Sequence, residues 1–259
     1  MLIIALHGYP LDRRMWAPLA LALGDGAPSP NRFFTPDLRG RGTSRRPSLD
    51  VHTMSLLADD LAADIAELLP DGEPFLLAGF SMGGYVLFEF LRRHHARLKN
   101  RIAGLVLCDT KITADDDAGK AKREEAIEAI RSRGIEAAVD AMLPKLLAKA
   151  SAGTERESVV RRMILDTPPE TACADLAGMA SRIDGFDALA HFSAPVLLIV
   201  GEEDVITPAS DTEVMAESAG SSPFVRLLTI PGSGHLAPLE KVSEVGEAIQ
   251  QLLDRLAHR

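Results

Sequence analysis

The sequence has few of the features that mark secreted, membrane-spanning or nucleic-acid-binding proteins. It contains only two cysteines among 259 residues, Cys108 and Cys173, too few for a disulfide framework and without the Cys-x-x-Cys spacing of redox or metal sites. Lysine and arginine number 28 against 37 aspartates and glutamates. The resulting net charge of −9 argues against nucleic-acid binding and mildly against docking on anionic membranes. No apolar run approaches the roughly 18 residues of a membrane-spanning helix.

The first ten residues, MLIIALHGYP, lack the basic start and the small-residue cleavage site of a signal peptide and are typical of a strand. We therefore expect a cytoplasmic protein with no nucleic-acid or membrane partner, and we expect it to use no metal and no other cofactor. The length suits one domain, or one domain with an inserted subdomain.

Short apolar runs that alternate with helical patterns indicate an α/β fold. Because strands and helices alternate, we predict about six mainly parallel strands with helices on both faces of the sheet. Sheets of this kind carry their sites at the carboxyl ends of the strands. The predicted strands are Leu2–Leu6, Arg32–Thr35, Phe75–Ala78, Ile102–Cys108, Val196–Val200 and Val225–Ile230. The predicted helices between and after them are Leu11–Leu23, Ser55–Leu69, Met82–Leu98 and Val242–Leu256.

Residues 111–192 break this alternation. The stretch has no clear strand and is rich in Ala, Glu, Arg and Lys. Its helix-like runs are Gly119–Ser132, Ile135–Lys149 and Thr154–Asp166. We predict a helical cap over 111–192, inserted into a core formed by residues 1–110 and 193–259.

The segment Gly79-Phe80-Ser81-Met82-Gly83 joins a strand pattern to a helical pattern and has the form G-x-S-x-G. In this context the serine is expected on a strained turn with its Oγ exposed above the sheet. Ser81 is therefore the candidate nucleophile. The backbone N–H of Met82, at the start of the helix, is a candidate donor to a developing oxyanion.

A serine nucleophile needs a base, and the base needs a carboxylate to orient it. His235 is the last residue of Pro231-Gly232-Ser233-Gly234-His235, the segment that directly follows the last predicted strand. It is therefore the candidate base. Asp204 follows the strand Val196–Val200 and is the preferred acid. Asp109, after Ile102–Cys108, is the alternative acid, because it also lies at the carboxyl end of a strand.

A second oxyanion donor is expected in the loop after the first strand. His7, Gly8, Tyr9 and Pro10 occupy this position, and the N–H of Tyr9 can be directed at the same oxygen as that of Met82. The side chain of His7 is expected to brace this loop rather than to react.

Five motifs in this order resemble those of the α/β-hydrolase superfamily: HGYP, DLRGRGTS, GFSMGG, GEEDVITP and GSGH. The resemblance implies Ser81, Asp204 and His235 as catalytic residues and Tyr9 and Met82 as backbone donors. It implies a mainly structural role for Asp37–Ser44, including Arg39. Because the sequence starts at the strand before HGYP, the Arg32–Thr35 strand is expected at an edge of the sheet.

The resemblance implies an enzyme that cleaves small carboxylic esters or lactones through an acyl-serine intermediate. GFSMGG is similar to the corresponding segment of 3-oxoadipate enol-lactonases, and C–C hydrolase and perhydrolase chemistry stay open on this fold. A serine at position 81 disfavours dehalogenase and epoxide-hydrolase chemistry, which would require Asp there. A non-catalytic binding protein is less favoured, since Ser81, Asp204 and His235 are all present.

Overall fold

Six parallel strands form one sheet in a computed structural model that describes residues 1–24, 31–69 and 72–258. Their order across the sheet is β2-β1-β3-β4-β5-β6. The chain therefore moves outwards from β1 to β2, then returns to the other side of β1 and continues towards β6. The strands are β1 Leu2–Leu6, β2 Arg32–Phe34, β3 Phe75–Phe80, β4 Ile102–Cys108, β5 Val196–Gly201 and β6 Val225–Ile230.

The burial of the strands follows from their place in the sheet. Every residue of β1, β3 and β5 is buried, because helices flank the sheet and these strands are near-continuous apolar runs. The short strand β2 lies at one edge, as expected, with Arg32 exposed, and β6 lies at the other edge and is mostly half-buried. The prediction of a parallel six-stranded sheet is confirmed.

Helices connect the strands and cover the sheet. Helix α3 has the predicted bounds, whereas the predicted helix Leu11–Leu23 begins instead with a 3-10 turn at Arg13–Trp16, capped by the side chain of Asp12. The helices are α1 Ala17–Leu23, α2 Met54–Leu68, α3 Met82–Leu98, α4 Asp117–Arg133, α5 Glu136–Leu146, α6 Glu155–Leu165, α7 Pro169–Ala180, α8 Phe186–Ala190, α9 Ala209–Ser218, α10 Ala237–Glu240 and α11 Val242–Ala257.

The segment between β4 and β5 carries helices α4–α8 and a 3-10 turn at Lys149–Ser151. Helix α5 is shorter than the pattern at Ile135–Lys149 suggests, because the backbone becomes extended at Leu147. Helices α7 and α8 were not predicted. Helix α4 packs on α7 and α5 packs on α6. The division of the chain into a core and a cap stays a prediction.

Helix α7 is joined to the rest of the chain by hydrogen bonds from successive turns. Thr171 Oγ1 donates to the carbonyl oxygen of Gly40 at 2.8 Å, and the N–H of His52 donates to the carbonyl oxygen of Ala174 at 3.0 Å. Asp175 lies one helical turn after Thr171 and faces the same loop residues. This helix is therefore fixed to the loops that follow β2.

Asp175 is the centre of a fully buried charge cluster. It forms an ion pair with Arg41, and its Oδ1 lies 2.7 Å from Nδ1 of His52. Arg41 also donates to the carbonyl oxygen of Leu11 at 2.9 Å. Burial lowers the pKa of Arg41 to about 10, and the nearby Tyr9, Asp12 and Asp37 oppose this shift. The cluster joins α7 to both the 37–44 and the 9–12 segments.

Replacement of Asp175 by Asn is expected to destabilise the protein strongly. Removing one partner of a buried ion pair leaves the other charge uncompensated, which costs about 3–5 kcal/mol. The free energy of unfolding in urea measures the loss. Asp59→Asn is the matched control, because Asp59 pairs with Arg93 at the surface and such pairs contribute at most about 1 kcal/mol. Equal losses for the two variants would contradict the role of the buried cluster.

Candidate active site

Ser81 lies on a sharp turn between β3 and α3. Its backbone φ is +49°, in the left-handed region that a non-glycine residue rarely adopts. Its N–H donates to the carbonyl oxygen of Cys108 at 3.0 Å, and Thr110 Oγ1 donates to its carbonyl oxygen at 2.8 Å. Gly83 permits the turn, because a Cβ there would lie 2.5 Å from the carbonyl oxygen of Leu6. The neighbouring strands β1 and β4 thus hold Ser81 in a strained conformation.

His235 lies in the loop that follows β6 and is almost fully buried. Its Nε2 is 3.0 Å from Oγ of Ser81. The ring packs on that of Phe80, with the ring centroids 5.0 Å apart. The side chain before Ser81 therefore supports the imidazole that contacts Ser81.

Asp204 lies in the loop that follows β5 and completes the chain of contacts. Its Oδ2 is 2.8 Å from Nδ1 of His235 and accepts a hydrogen bond from Thr207 Oγ1 at 2.8 Å. Its Oδ1 accepts from the N–H groups of Ile206 and Thr207 at 2.8 and 3.1 Å. Burial alone would raise the pKa of Asp204, but His235 and these hydrogen bonds hold it below its usual value. Asp204 is therefore ionised and directed at the imidazole.

Asp109 follows β4 and is fully buried, but its carboxylate makes other contacts. Its oxygens accept from the N–H groups of Gly201 and Ala237 at 2.8 and 3.2 Å. Burial and, secondarily, the charge of Asp204 raise the pKa of Asp109 well above its usual value. Among the described hydrogen bonds none joins Asp109 to His235, so the structure brings Asp204 rather than Asp109 to the imidazole.

The two backbone donors suggested by the sequence are the N–H groups of Tyr9 and Met82. In residues 1–24, 31–69 and 72–258 the N–H of Tyr9 has no hydrogen-bond acceptor, and neither does that of Met82, the first residue of α3. They follow the carboxyl ends of the adjacent strands β1 and β3. Both N–H groups are therefore available to a bound group near Ser81.

The loop that carries Tyr9 is braced by His7. The Nδ1 of His7 lies 3.0 Å from the carbonyl oxygen of Gly8, and its Nε2 accepts from the N–H of Leu38 at 3.0 Å. Burial, followed by the charge of Arg41, lowers the pKa of His7 to about 4. The ring is therefore neutral near pH 7 and joins the loop after β1 to the 37–44 segment.

The 37–44 segment is held in place by hydrogen bonds of its polar side chains, both within the segment and to Arg13 and Asp60. Asp37 accepts from the N–H and Oγ1 of Thr43 at 2.7 and 2.9 Å, and from the N–H of Arg13 at 2.8 Å. Arg39 forms two hydrogen bonds with Asp60, at 3.0 and 2.8 Å. None of these residues hydrogen bonds to Ser81 or His235 among the described contacts, so the segment bears on the site through His7.

Sequence reasoning missed Thr207 as part of the site. Besides its bonds to Asp204, its Oγ1 lies 3.3 Å from Nδ1 of His235. Its position three residues after an acid in a loop was the available signal. Across the part of the chain that the structure describes, no group of three or more His, Cys, Asp or Glu side chains could hold a metal ion. No helix described there is long and apolar enough to cross a bilayer.

Acidification is expected to destabilise the protein through His7. Its pKa is about 4 in the folded chain and about 6.5 when unfolded, so the unfolded chain takes up this proton first. The contribution of His7 to the free energy of unfolding is therefore fully present above about pH 6.5 and is lost as the pH falls towards about 4. Urea unfolding at several pH values in this window measures the slope.

The matched variant for this prediction is His7→Gln, which keeps an acceptor for the N–H of Leu38 but cannot titrate in this window. Its free energy of unfolding should depend less steeply on pH than that of the parent chain. Identical slopes would show that His7 does not contribute.

Known proteins are similar in sequence to this chain over nearly its whole length. The model of the alpha/beta hydrolase family matches residues 3–248. The AB hydrolase superfamily protein YisY of Bacillus subtilis is 28% identical over 96% of this chain and 90% of its own length. A pimeloyl-acyl-carrier-protein methyl ester esterase of Xanthomonas campestris is 27% identical over 98% of this chain and 95% of its own.

Solved structures of similar fold cover nearly the whole chain as well. A thermophilic esterase from Thermogutta terrifontis is similar with a TM-score of 0.88 and 38% identity, covering 99% of this chain and 90% of its own. An enol-lactonase from Burkholderia xenovorans shares the fold with a TM-score of 0.82 at 22% identity, covering 98% of this chain and 91% of its own. The family match and the sheet topology lead to one conclusion: this chain belongs to the α/β-hydrolase family and is an enzyme.

Proposed function

We propose that this enzyme is a serine hydrolase that cleaves small carboxylic esters or lactones through an acyl-Ser81 intermediate. The observation that carries the proposal is the continuous chain of two hydrogen bonds from Ser81 through His235 to Asp204, at 3.0 and 2.8 Å. This arrangement supplies a nucleophile, a base within reach of its proton and an acid that orients the base.

In the proposed reaction Ser81 Oγ attacks the carbonyl carbon while His235 Nε2 takes the hydroxyl proton. The negative charge that develops on the carbonyl oxygen accepts hydrogen bonds from the N–H groups of Tyr9 and Met82. When the tetrahedral intermediate collapses, the C–O bond to the alcohol breaks and His235 gives its proton to that oxygen. Water then attacks the acyl carbon while His235 takes its proton. The bond between that carbon and Ser81 Oγ breaks, His235 returns the proton to Oγ, and the acid is released. Asp204 stabilises the imidazolium at each step.

The class of substrate is supported by the named relatives. The Thermogutta terrifontis protein, 38% identical, is an esterase, and the Xanthomonas campestris relative is named a methyl ester esterase. A lactone is the second candidate, because the GFSMGG segment is similar to that of enol-lactonases and the Burkholderia xenovorans enzyme has the same fold. Residues 111–192 are proposed as a cap that selects among such substrates, over a core of residues 1–110 and 193–259.

Replacement of Ser81 by Ala is expected to abolish hydrolysis of p-nitrophenyl acetate and butyrate. Loss of the nucleophile lowers kcat on the order of 10⁶-fold in serine hydrolases, down to the background level. A fluorophosphonate should label the parent chain at Ser81 and leave Ser81→Ala unlabelled. Turnover by Ser81→Ala at the parental rate would end the proposal. Parallel assays on lactones of graded ring size distinguish the two substrate classes.

Replacement of Asp204 by Asn is expected to lower kcat by about 10⁴-fold, because the amide no longer stabilises the imidazolium or fixes its tautomer. Asp109→Asn is the matched control, since Asp109 is also buried and, among the described contacts, its carboxylate bonds to the backbone N–H groups of Gly201 and Ala237 rather than to His235. Its kcat should stay within about tenfold of the parent, as expected for a group outside the reaction. The reverse ranking of kcat, measured on folded protein, would assign the acid to Asp109.

A further inference from the structure

Glu240 is a buried carboxylate that the proposed mechanism does not use. It ends the short helix α10, five residues after His235, and is 7% exposed. Its Oε1 accepts from the N–H of Ala148 at 2.9 Å and from Ser151 Oγ at 2.6 Å. Its Oε2 accepts from the N–H of Gly234 at 2.7 Å and from Ser233 Oγ at 3.3 Å. One oxygen thus serves residues 148–151, and the other serves the loop that carries His235.

This pattern requires a carboxylate. An ionised carboxylate accepts hydrogen bonds on both oxygens, whereas an amide presents N–H donors on one side. Glu240 makes no ion pair within residues 1–24, 31–69 and 72–258, so the four donors alone compensate its buried charge. Withdrawing either pair of donors would leave one oxygen buried without a partner, which is costly.

The two segments that Glu240 joins are also in direct contact. A Cβ at Gly234 would lie 2.5 Å from the backbone nitrogen of Ala148, so only glycine lets the backbones approach this closely. A second link runs through Glu203, the residue before Asp204. Its Oε2 accepts from the N–H of Lys149 at 3.2 Å, and its own N–H donates to the carbonyl oxygen of Ser233 at 2.8 Å. Residues 148–151 are therefore linked both to the loop that carries Asp204 and to the loop that carries His235.

We propose that Glu240 is a positioning residue that couples the seating of residues 148–151 to the alignment of His235. The inference rests on the proposed serine-hydrolase function. When residues 148–151 are seated, Oε1 is satisfied, the carboxylate is fixed, and Oε2 holds Gly234 and so the adjacent His235 in reach of Ser81. When they move away, the carboxylate loses half of its donors and its hold on the His235 loop weakens.

The test is the kinetics of Glu240→Gln with p-nitrophenyl acetate. The amide keeps the shape of the side chain, but on one side its own NH₂ group faces hydrogen-bond donors and cannot accept from them. We expect kcat to fall by about 10²-fold, the effect of a misplacement of about 1 Å in a catalytic group. KM should change little, and the rate of labelling of Ser81 by fluorophosphonate should fall in parallel with kcat. Glu247→Gln, an exposed change on α11, is the matched control and should match the parent chain.

Ser151→Ala tests the coupling itself, because it removes only a donor from the 148–151 side. We expect a several-fold loss of kcat in the parent chain and no further loss in the Glu240→Gln background. If the two losses multiply instead, Glu240 acts on the His235 loop alone and the coupling is overturned. Ser151→Ala also serves if Glu240→Gln does not fold, since an unchanged kcat and labelling rate in this variant then overturn the inference.

The outcomes separate the inference from the function on which it rests. If the parent chain has no turnover that Ser81→Ala abolishes, the proposed function fails. If the parent chain turns over ester and folded Glu240→Gln matches it in kcat and in Ser81 labelling, only the positioning role of Glu240 is overturned.

Discussion

The arrangement at Ser81 depends on a strained backbone held between two neighbouring strands. A left-handed serine costs on the order of 1–3 kcal/mol and persists only where its surroundings determine it. Here the carbonyl oxygen of Cys108 and the hydroxyl of Thr110 hold the turn from β4, while β1 lies too close at Gly83 for any side chain. The order of strands reverses between β1 and β3, which is where sheets of this kind carry their sites.

Three buried carboxylates surround His235, and each meets the cost of its burial in a different way. Asp204 is ionised because the imidazole and three hydrogen-bond donations favour its charged form. Asp109 forms no ion pair among the described residues, and its raised pKa favours the neutral acid. Glu240 is surrounded by four neutral donors from two parts of the chain. The result is that a single carboxylate is aimed at the imidazole, while the other two fasten loops around it.

Local patterns in the sequence were enough for the sheet and for part of the site. Continuous apolar runs predicted the strands, and position after a strand singled out His235, because parallel strands bring their carboxyl ends to one edge. Helix α7 was not predicted, since its alanine-rich sequence has no clear apolar face and its stability comes from contacts with the core. Thr207 was missed although it lies only three residues after Asp204, whereas Glu240 could not be found from any local pattern. The contact of Glu240 with Ala148 spans 92 residues, and nothing in the neighbourhood of either residue encodes it.

The shape of the sheet edges has a consequence for association between chains. Exposed edges offer free backbone groups on which a further strand can add, and this is a common route to polymerisation. The edge strand β2 is only three residues long, so an incoming strand would find few groups to pair with. On the opposite edge, β6 is longer but carries Arg226, which bonds to Gln251 of α11. Sheet growth by strand addition is therefore limited by length on one side and hindered by a cation on the other.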